Sequence, residues 1–486
     1  MENNLSCCHT KCCSNNSNMY DLIIIGGGSA AFSAAIAASE QGKKILLIND
    51  GLPIGGTCVN VGCVPSKFLL RAAESVYRAS HSPFQGIRTH APEVDFKTLI
   101  TQKKALVQTM RKKKYSDVAD SIPGLTVLQG RAVFQDEYTV VVNNELYKAD
   151  AFVIATGSTT NIPNIEGLEE TGYLTNSTLF DMEEKPKSLT IFGAGYVGLE
   201  IATAYNRLGV KIRVIEFTDR VLRSQDSDIS DALQKSLTAE GITFYPNFRA
   251  KKVERKNGVI HIYGKNTQTG ENFEITEPGH ILIAAGTRPN TTNMGLERIG
   301  ITLSEKGHVI VNEYMQTSVS HIFAAGDCAN TPAFVYTAAK EGKAAANNAF
   351  NSRKIKLDYK TLPWVVFTSP QVAGAGMDEK QAEENRIDYQ VRKLPLSEVP
   401  AAIVAQETKG FIKLVINRET QKIIGGRVVA EGAGELSVII SMAVAAGMTV
   451  EQLSEMFFPY LTLSEGIKLA ALTFNKSIDK LSCCAS

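Results

Sequence analysis

The stretch DLIIIGGGSAAFSAAIAASEQGKKILLIND, Asp21 to Asp50, decides the fold. An apolar run ends at Gly26, Gly27 and Gly28, a helical run of small residues follows, and a second apolar run begins at Ile45. Strand, glycine turn, helix and strand make a βαβ unit. Gly26 and Gly28 stand where the strand ends, with Ala31 in the third place. Such a turn lets a pyrophosphate approach the backbone at a helix N-terminus.

A second unit of the same kind is LTIFGAGYVGLEIATAYNRLGVKIRVIEF, Leu189 to Phe217, with Gly193, Gly195 and Gly198 in the turn and Glu216 closing the second strand. One glycine fingerprint is weak evidence. Two complete frames about 170 residues apart carry more, because each brings its own strands and helix. Two similar strand ends, FVIATGS (Phe152–Ser158) and ILIAAGTRPN (Ile281–Asn290), return the chain from each unit. A third, TSVSHIFAAGDCAN, places Gly326 and Asp327 in the turn after a strand, where a carboxylate can accept from sugar-like hydroxyls. From about Tyr359 the texture changes to WVVFT, GFIKLVIN and KIIGGRVVA, then two helical stretches, which reads as a separate C-terminal domain.

The chain has 486 residues, too many for one core, with 44% hydrophobic and 21% charged residues and a formal net charge of +1. That balance leaves no electrostatic footprint for nucleic acid, and no apolar run is long enough to insert in a membrane. The polar start lacks the apolar stretch of a secretory signal, so a cytoplasmic protein is expected. Structural disulfides are uncommon there. Yet eight of the nine cysteines fall in pairs: Cys7–Cys8, Cys12–Cys13, Cys58–Cys63 and Cys483–Cys484, with Cys328 alone. Pairs in a reducing compartment suggest redox chemistry or soft-metal binding.

The pair inside GGTCVNVGCVPSK, Gly55 to Lys67, has chemistry of its own. The run from Cys63 reads as a helix with Pro65 in its first turn. Cys63 then meets the positive end of the helix dipole, which favours a thiolate. Cys58 closes a disulfide with Cys63 if the turn brings their Cα atoms to roughly 5.5 Å. Lys67 follows four residues on, on the same helix face.

Together these features resemble the flavoprotein disulfide reductase family over nearly all of residues 19–486. The resemblance implies an α/β protein with two Rossmann-like dinucleotide-binding domains, for FAD and NAD(P), and a C-terminal α+β dimerisation domain. The divisions are a cysteine-rich tail over 1–18, FAD-binding parts over 19–157 and 288–357, an NAD(P)-binding domain over 158–287 and a dimerisation domain over 358–486. It implies that Gly26, Gly28 and Ala31 hold the FAD pyrophosphate and that Asp327 meets the ribityl chain. Gly56, Thr57, Lys67, Thr156 and Gly157 complete the flavin's surroundings. Where the family usually carries an acidic residue for the adenosine ribose, this chain has Asn49 followed by Asp50, and either fits. Gly193, Gly195, Gly198, Glu216 and Gly286 fall to the nicotinamide dinucleotide. Cys63 would contact the flavin and Cys58 exchange with substrate. Lys67 and Glu200 would pair beside the ring, and Tyr196 would cover it until nicotinamide displaces it.

Members that reduce disulfides carry a His–Glu pair in a segment of the form HPTxxE. This chain reads FFPYLTLSEGIKLA, and alignment on Thr462 and Glu465 puts Tyr460 in the histidine's place. A tyrosine of pKa about 10 is a poor base at neutral pH. A soft metal ion passed between thiolates needs no such shuttle. GGTCVNVGCVPSK, FPYLTLSEGIKLAALTFNK and the terminal LSCCAS resemble the mercuric reductase branch of the family. That likeness implies FAD-dependent reduction of thiol-bound Hg(II) by NADPH or NADH in a homodimer. Cys483 and Cys484 of one subunit would pass the ion to Cys58 and Cys63 of the other. Tyr460 and Tyr196 would orient it.

Many of that branch carry an N-terminal metal-trafficking domain; here the expectation is instead a short tail with CCHTKCC, in which Cys7, Cys8, Cys12, Cys13 and His9 make either a capture arm or a non-essential extension. Glu216 favours NADH by repelling a 2′-phosphate, whereas Arg220 and Arg223 stand close enough in sequence to grip one. Two rival readings are a dihydrolipoamide-dehydrogenase-like disulfide reductase and a metal-sequestering protein without turnover. The missing histidine opposes the first and the intact dinucleotide motifs the second.

Overall fold

The computed structural model describes residues 18–478. Cys7, Cys8, His9, Cys12, Cys13, Cys483 and Cys484 therefore lie outside the described residues. The described residues form two compact units, one of residues 18–56, 111–158 and 289–357, the other of 57–110, 159–288 and 358–478.

The first unit is built on the opening βαβ stretch. The strand Met19–Ile25 pairs in parallel with Ile45–Asn49 on one side and Glu145–Ile154 on the other, in register Ile23↔Leu46 and Ile23↔Phe152. Leu125–Gln129 extends the sheet in parallel beyond Ile45–Asn49. The ten-residue strand Glu145–Ile154 is shared along its other edge. Its first half pairs antiparallel with Thr139–Val142, and its second half pairs in parallel with Ile322–Ala324. The central strands read as unbroken apolar runs because both faces are covered: Leu22, Ile23, Ile24, Ile45, Leu46 and Leu47 have no exposed surface. The helices Ser29–Ser39 and Val335–Phe350 pack against each other so closely that a Cβ on Gly342 would stand 2.0 Å from the Ala30 carbonyl oxygen.

The second unit holds the second βαβ stretch. Its parallel sheet runs Thr243–Tyr245, Lys211–Ile215, Ser188–Phe192, His280–Ile283. A three-stranded antiparallel sheet, Phe248–Lys256, Val259–Asn266 and Asn272–Glu277, adjoins it in sequence. The helix Cys63–Ser80 packs on Tyr196–Arg207 through a core that includes Leu69, Ala73, Leu199, Ala202 and Tyr205. The C-terminal part is a five-stranded antiparallel sheet, ordered Trp364–Val366, Gln371–Gly376, Ile423–Ala430, Phe411–Asn417, Tyr389–Pro395. Helices Ala433–Ala445 and Glu465–Leu472 cover it. Among the described residues no helix is long and apolar enough to cross a membrane.

Candidate active site

Cys58 lies in the short helix Gly56–Asn60, and Cys63 is the first residue of Cys63–Ser80, where the sequence predicts a helix start. Both are free, half-buried thiols. Asn176 donates from Nδ2 to the Val61 carbonyl at 2.7 Å, which holds the turn between them. A hydrogen bond from the Cys58 thiol, together with the Lys67 cation, brings the Cys63 pKa down to about 7 against the opposing effect of burial. Cys58 moves the other way, because it supplies that hydrogen bond to Cys63 and is itself buried. One member of the pair is thus an accessible thiolate near neutrality and the other its proton-bearing partner.

Lys67, one turn along the same helix, reaches Glu200 at 2.7 Å. Glu200 is nearly buried on Tyr196–Arg207, and its other oxygen accepts from the Phe367 backbone N–H at 3.0 Å. The Lys67 ammonium also lies 4.6 Å above the Phe367 ring. The pairing of Lys67 with Glu200, 133 positions apart, comes from the packing of two helices. Tyr196 opens its helix immediately after the glycine turn, packs on Trp364 with ring centroids 6.0 Å apart, and shares a hydrogen bond of 3.1 Å with Gln225. Burial raises its phenol pKa. Tyr460 is half-exposed on a stretch where Met456, Phe457 and Leu461 also face outward. Thr462 bonds back to the Pro459 carbonyl at 2.8 Å and caps Glu465, whose Oε2 is buried with no hydrogen-bond partner among the described residues. No histidine occurs in residues 358–486. His81 caps the far end of the helix that Cys63 opens, about 27 Å along it.

The two glycine turns fit dinucleotides. Gly28 and Gly195 cap the helices Ser29–Ser39 and Tyr196–Arg207 without any side-chain hydrogen bond, which leaves first-turn N–H groups for a pyrophosphate. Gly26 and Gly193 have φ of +128° and +112°, and a Cβ on either would stand 2.1 Å and 2.4 Å from the carbonyl oxygens of Ala155 and Ala284. Ala31 is buried, and Gly198 lies against the Gly193 carbonyl. In the first unit the turn Gly55–Gly56 is tied to Gly27 by a 2.7 Å backbone bond. Asn290 bonds the carbonyls of Thr156 and Gly157, Ser158 donates to Asp327 at 2.9 Å, and the buried Glu341 holds the Gly326 N–H at 2.7 Å. The residues expected to hold FAD are therefore braced by others the sequence does not mark, among them Tyr115, whose hydroxyl is 3.4 Å from Ser29 Oγ.

Asn49 is buried and its amide nitrogen donates to the Leu52 carbonyl and to Gln129, which leaves Asp50 as the exposed carboxylate beside it. In the second unit, Glu216 accepts from the Ala194 N–H at 2.9 Å and from the Thr218 N–H and hydroxyl at 2.9 and 2.8 Å. Arg220 is turned to Asp219 and to the carbonyls of Arg223 and Gln225, and Arg223 is exposed. Gly286 is exposed, and its carbonyl accepts from Asn161 at 2.9 Å; Thr57 is exposed beside Cys58.

The comparisons with known proteins agree with this geometry. The pyridine nucleotide-disulphide oxidoreductase family matches residues 20–342, and its dimerisation domain matches 362–471. Mercuric reductases of Staphylococcus aureus and Lysinibacillus sphaericus are 42% and 43% identical over 446 residues, covering 92% of this chain and 81% of theirs. That of Streptomyces lividans is 41% identical over 92% of this chain and 94% of its own. Among solved structures, the Cu(II) complex of the HOCl-induced flavoprotein disulfide reductase RclA from Escherichia coli superimposes with a TM-score of 0.83 at 26% identity, covering 94% of this chain and all of that one. LpdA from Mycobacterium tuberculosis gives 0.81 at 28%, with the same coverage. The chain belongs to the pyridine nucleotide-disulphide oxidoreductases, and within them to the mercuric reductase family.

Proposed function

We propose that the chain reduces thiol-bound Hg(II) to elemental mercury with electrons from NAD(P)H, as a homodimer and in the cytoplasm. The observation that carries this reading is an acidic Cys63 thiol with a Cys58 partner and a Lys67–Glu200 pair, in a chain whose C-terminal domain has no histidine to shuttle protons. FAD, when bound, supplies the two-electron relay between NAD(P)H and the metal. Gly26, Gly28, Ala31, Thr156, Gly157, Asp327 and Asp50 would hold it; Gly193, Gly195, Gly198, Gly286 and Glu216 would hold the nicotinamide dinucleotide.

Ligand exchange needs only the two sulfurs. The Cys63 thiolate forms one S–Hg bond as one incoming thiolate leaves, and Cys58 forms the second as it passes its proton to the departing thiolate. Two electrons and one proton then release Hg(0), leaving Cys63 a thiolate and Cys58 a thiol as at the start; oxidation of NAD(P)H supplies the electrons and the proton. Lys67 keeps the thiolate charge compensated, and Glu200 fixes the ammonium in place. Cys483 and Cys484 of the partner subunit would deliver the ion, and Tyr460 on its exposed stretch would orient it at the composite site. The dimerisation-domain match and the outward-facing Phe457 support that arrangement.

The test is NADH and NADPH oxidation with Hg(II) in excess low-molecular thiol, beside lipoamide. Metal-dependent turnover lost in Cys483→Ala/Cys484→Ala is expected. Fast lipoamide reduction with Hg(II) acting only as an inhibitor would overturn the reading in favour of a disulfide reductase.

A further inference from the structure

Tyr196 is held by a loop that also carries the adenosine-end carboxylate. The loop leaves the strand Lys211–Ile215 at Glu216 and ends at Asp226, the cap of the helix Ser227–Ala239. At its far end Gln225 Nε2 stands 3.1 Å from the Tyr196 hydroxyl, and the Ser224 side chain hydrogen-bonds the same oxygen. The loop also holds both backbone polar groups of one residue in the glycine turn. Ala194 N–H donates to Glu216, and Ala194 C=O accepts from the Leu222 N–H at 3.0 Å. Leu222 sits at φ +44°, strained for a branched residue and retained by burial of Val221 and Leu222. Gln225 Oε1 and Arg220 Nε are buried without hydrogen-bond partners among the described residues. The loop therefore carries backbone strain and unmet polar groups, as a segment with a second arrangement would. Beyond it, Asp226 is anchored to the buried Lys413 ammonium at 2.5 Å, so residues 217–225 lie between two held ends.

We infer that Gln225 is a positioning residue that latches Tyr196 in its closed place, and that occupation of Glu216 by the adenosine ribose releases the latch. The inference rests on the reading of Tyr196 as the gate and Glu216 as the ribose acceptor. A ribose hydroxyl that takes a Glu216 oxygen competes with the Ala194 and Thr218 donors that shape the loop. The adenosine end of the dinucleotide then opens the path for its nicotinamide end. One neutral hydrogen bond biases such an equilibrium by about two- to tenfold.

Trp364 is the only tryptophan of the chain and lies against the Tyr196 ring, so its emission reports the ring's position. ADP-ribose separates the two ends, because it carries both riboses and the pyrophosphate but no nicotinamide to push the tyrosine. Added to the oxidised holoenzyme, it is expected to shift Trp364 emission, and NAD+ should shift it likewise. In Gln225→Ala the shift should be present before any ligand is added, and ADP-ribose should bind about two- to tenfold tighter. Tyr196→Phe keeps the ring and loses the hydroxyl, and with it the Ser224 contact too; it should shift the emission in the same direction as Gln225→Ala and at least as far, and Gln225→Ala added to it should change nothing more. ADP-ribose binding without an emission change, or additive effects in the double variant, would overturn the latch. ADP-ribose affinity unmoved by Glu216→Ala would show that the ribose reading has failed, and the coupling with it. None of these readouts involves Hg(II), so they stand apart from the test of the mercury reaction.

Discussion

Cys63 owes its acidity to two side chains that can be removed singly, the Cys58 thiol and the Lys67 cation, and it also stands at a helix N-terminus. Below pH 7 the sulfur takes up its proton and stops acting as a nucleophile, so iodoacetamide alkylation of the reduced protein should fall about tenfold per pH unit, with its inflection near 7. Cys58→Ala removes the strongest contribution, and the inflection should move up toward an ordinary thiol; an unmoved inflection would mean that the hydrogen bond does not set the pKa. Lys67→Met should move it up as well, since the ammonium goes and the buried Glu200 carboxylate is left facing the sulfur. Position in the sequence showed Cys63 at a helix start and Lys67 one turn away. The family resemblance named Glu200 as the partner of Lys67, but nothing in the sequence showed Phe367 or Asn176 around them, which come from segments more than a hundred positions distant.

At the scale of elements, close approach is what the glycines provide. Gly342 lets the helix Val335–Phe350 lie against Ser29–Ser39, and Gly342→Ala would force the two apart by placing a methyl 2.0 Å from the Ala30 oxygen. The expected cost is about 1–3 kcal/mol of stability, with less flavin retained per protein after gel filtration; full retention and an unchanged melting temperature would contradict the packing argument. A second junction is ionic. Lys413, on the strand Phe411–Asn417, is buried and meets Asp226, Asp228 and Glu379, so one cation holds the start of the helix Ser227–Ala239 to the C-terminal sheet. Lys413→Met leaves three carboxylates facing one another and should lower stability by about 3 kcal/mol, read as a drop in melting temperature. The apolar run FIKLVIN reads as a strand, but a lysine there reads as surface; only the acidic residues folded over it make it a core residue.

At the scale of the molecule, the C-terminal domain keeps Phe457 fully exposed, with Val438 and Met442 also outward. The dimerisation-domain match covers Val438 and Met442 together with Phe457. Phe457→Asp with Met442→Lys should shift the dimer toward monomer in light scattering. Hg(II)-dependent turnover should fall at least tenfold while NAD(P)H still reduces the bound flavin, because a composite site needs the second copy and the dinucleotide turns do not. A monomer with undiminished turnover would refute the composite site.

Sequence alone determined the two βαβ units, the helix start at Cys63 and the absence of a histidine near Tyr460. These are local statements: a strand end, three glycines and a helix period lie within a few residues of one another, and their backbone requirements hold whatever surrounds them. Tertiary structure decided the rest. The turn of Asn49 away toward Leu52 and Gln129, the burial of Lys413, the bracing of Gly326 by Glu341 and the hold of Gln225 on Tyr196 all depend on which segments are brought together. Hydrogen bonds and charges act over a few ångströms, and distance along the chain says nothing about them until the fold has closed the loops between.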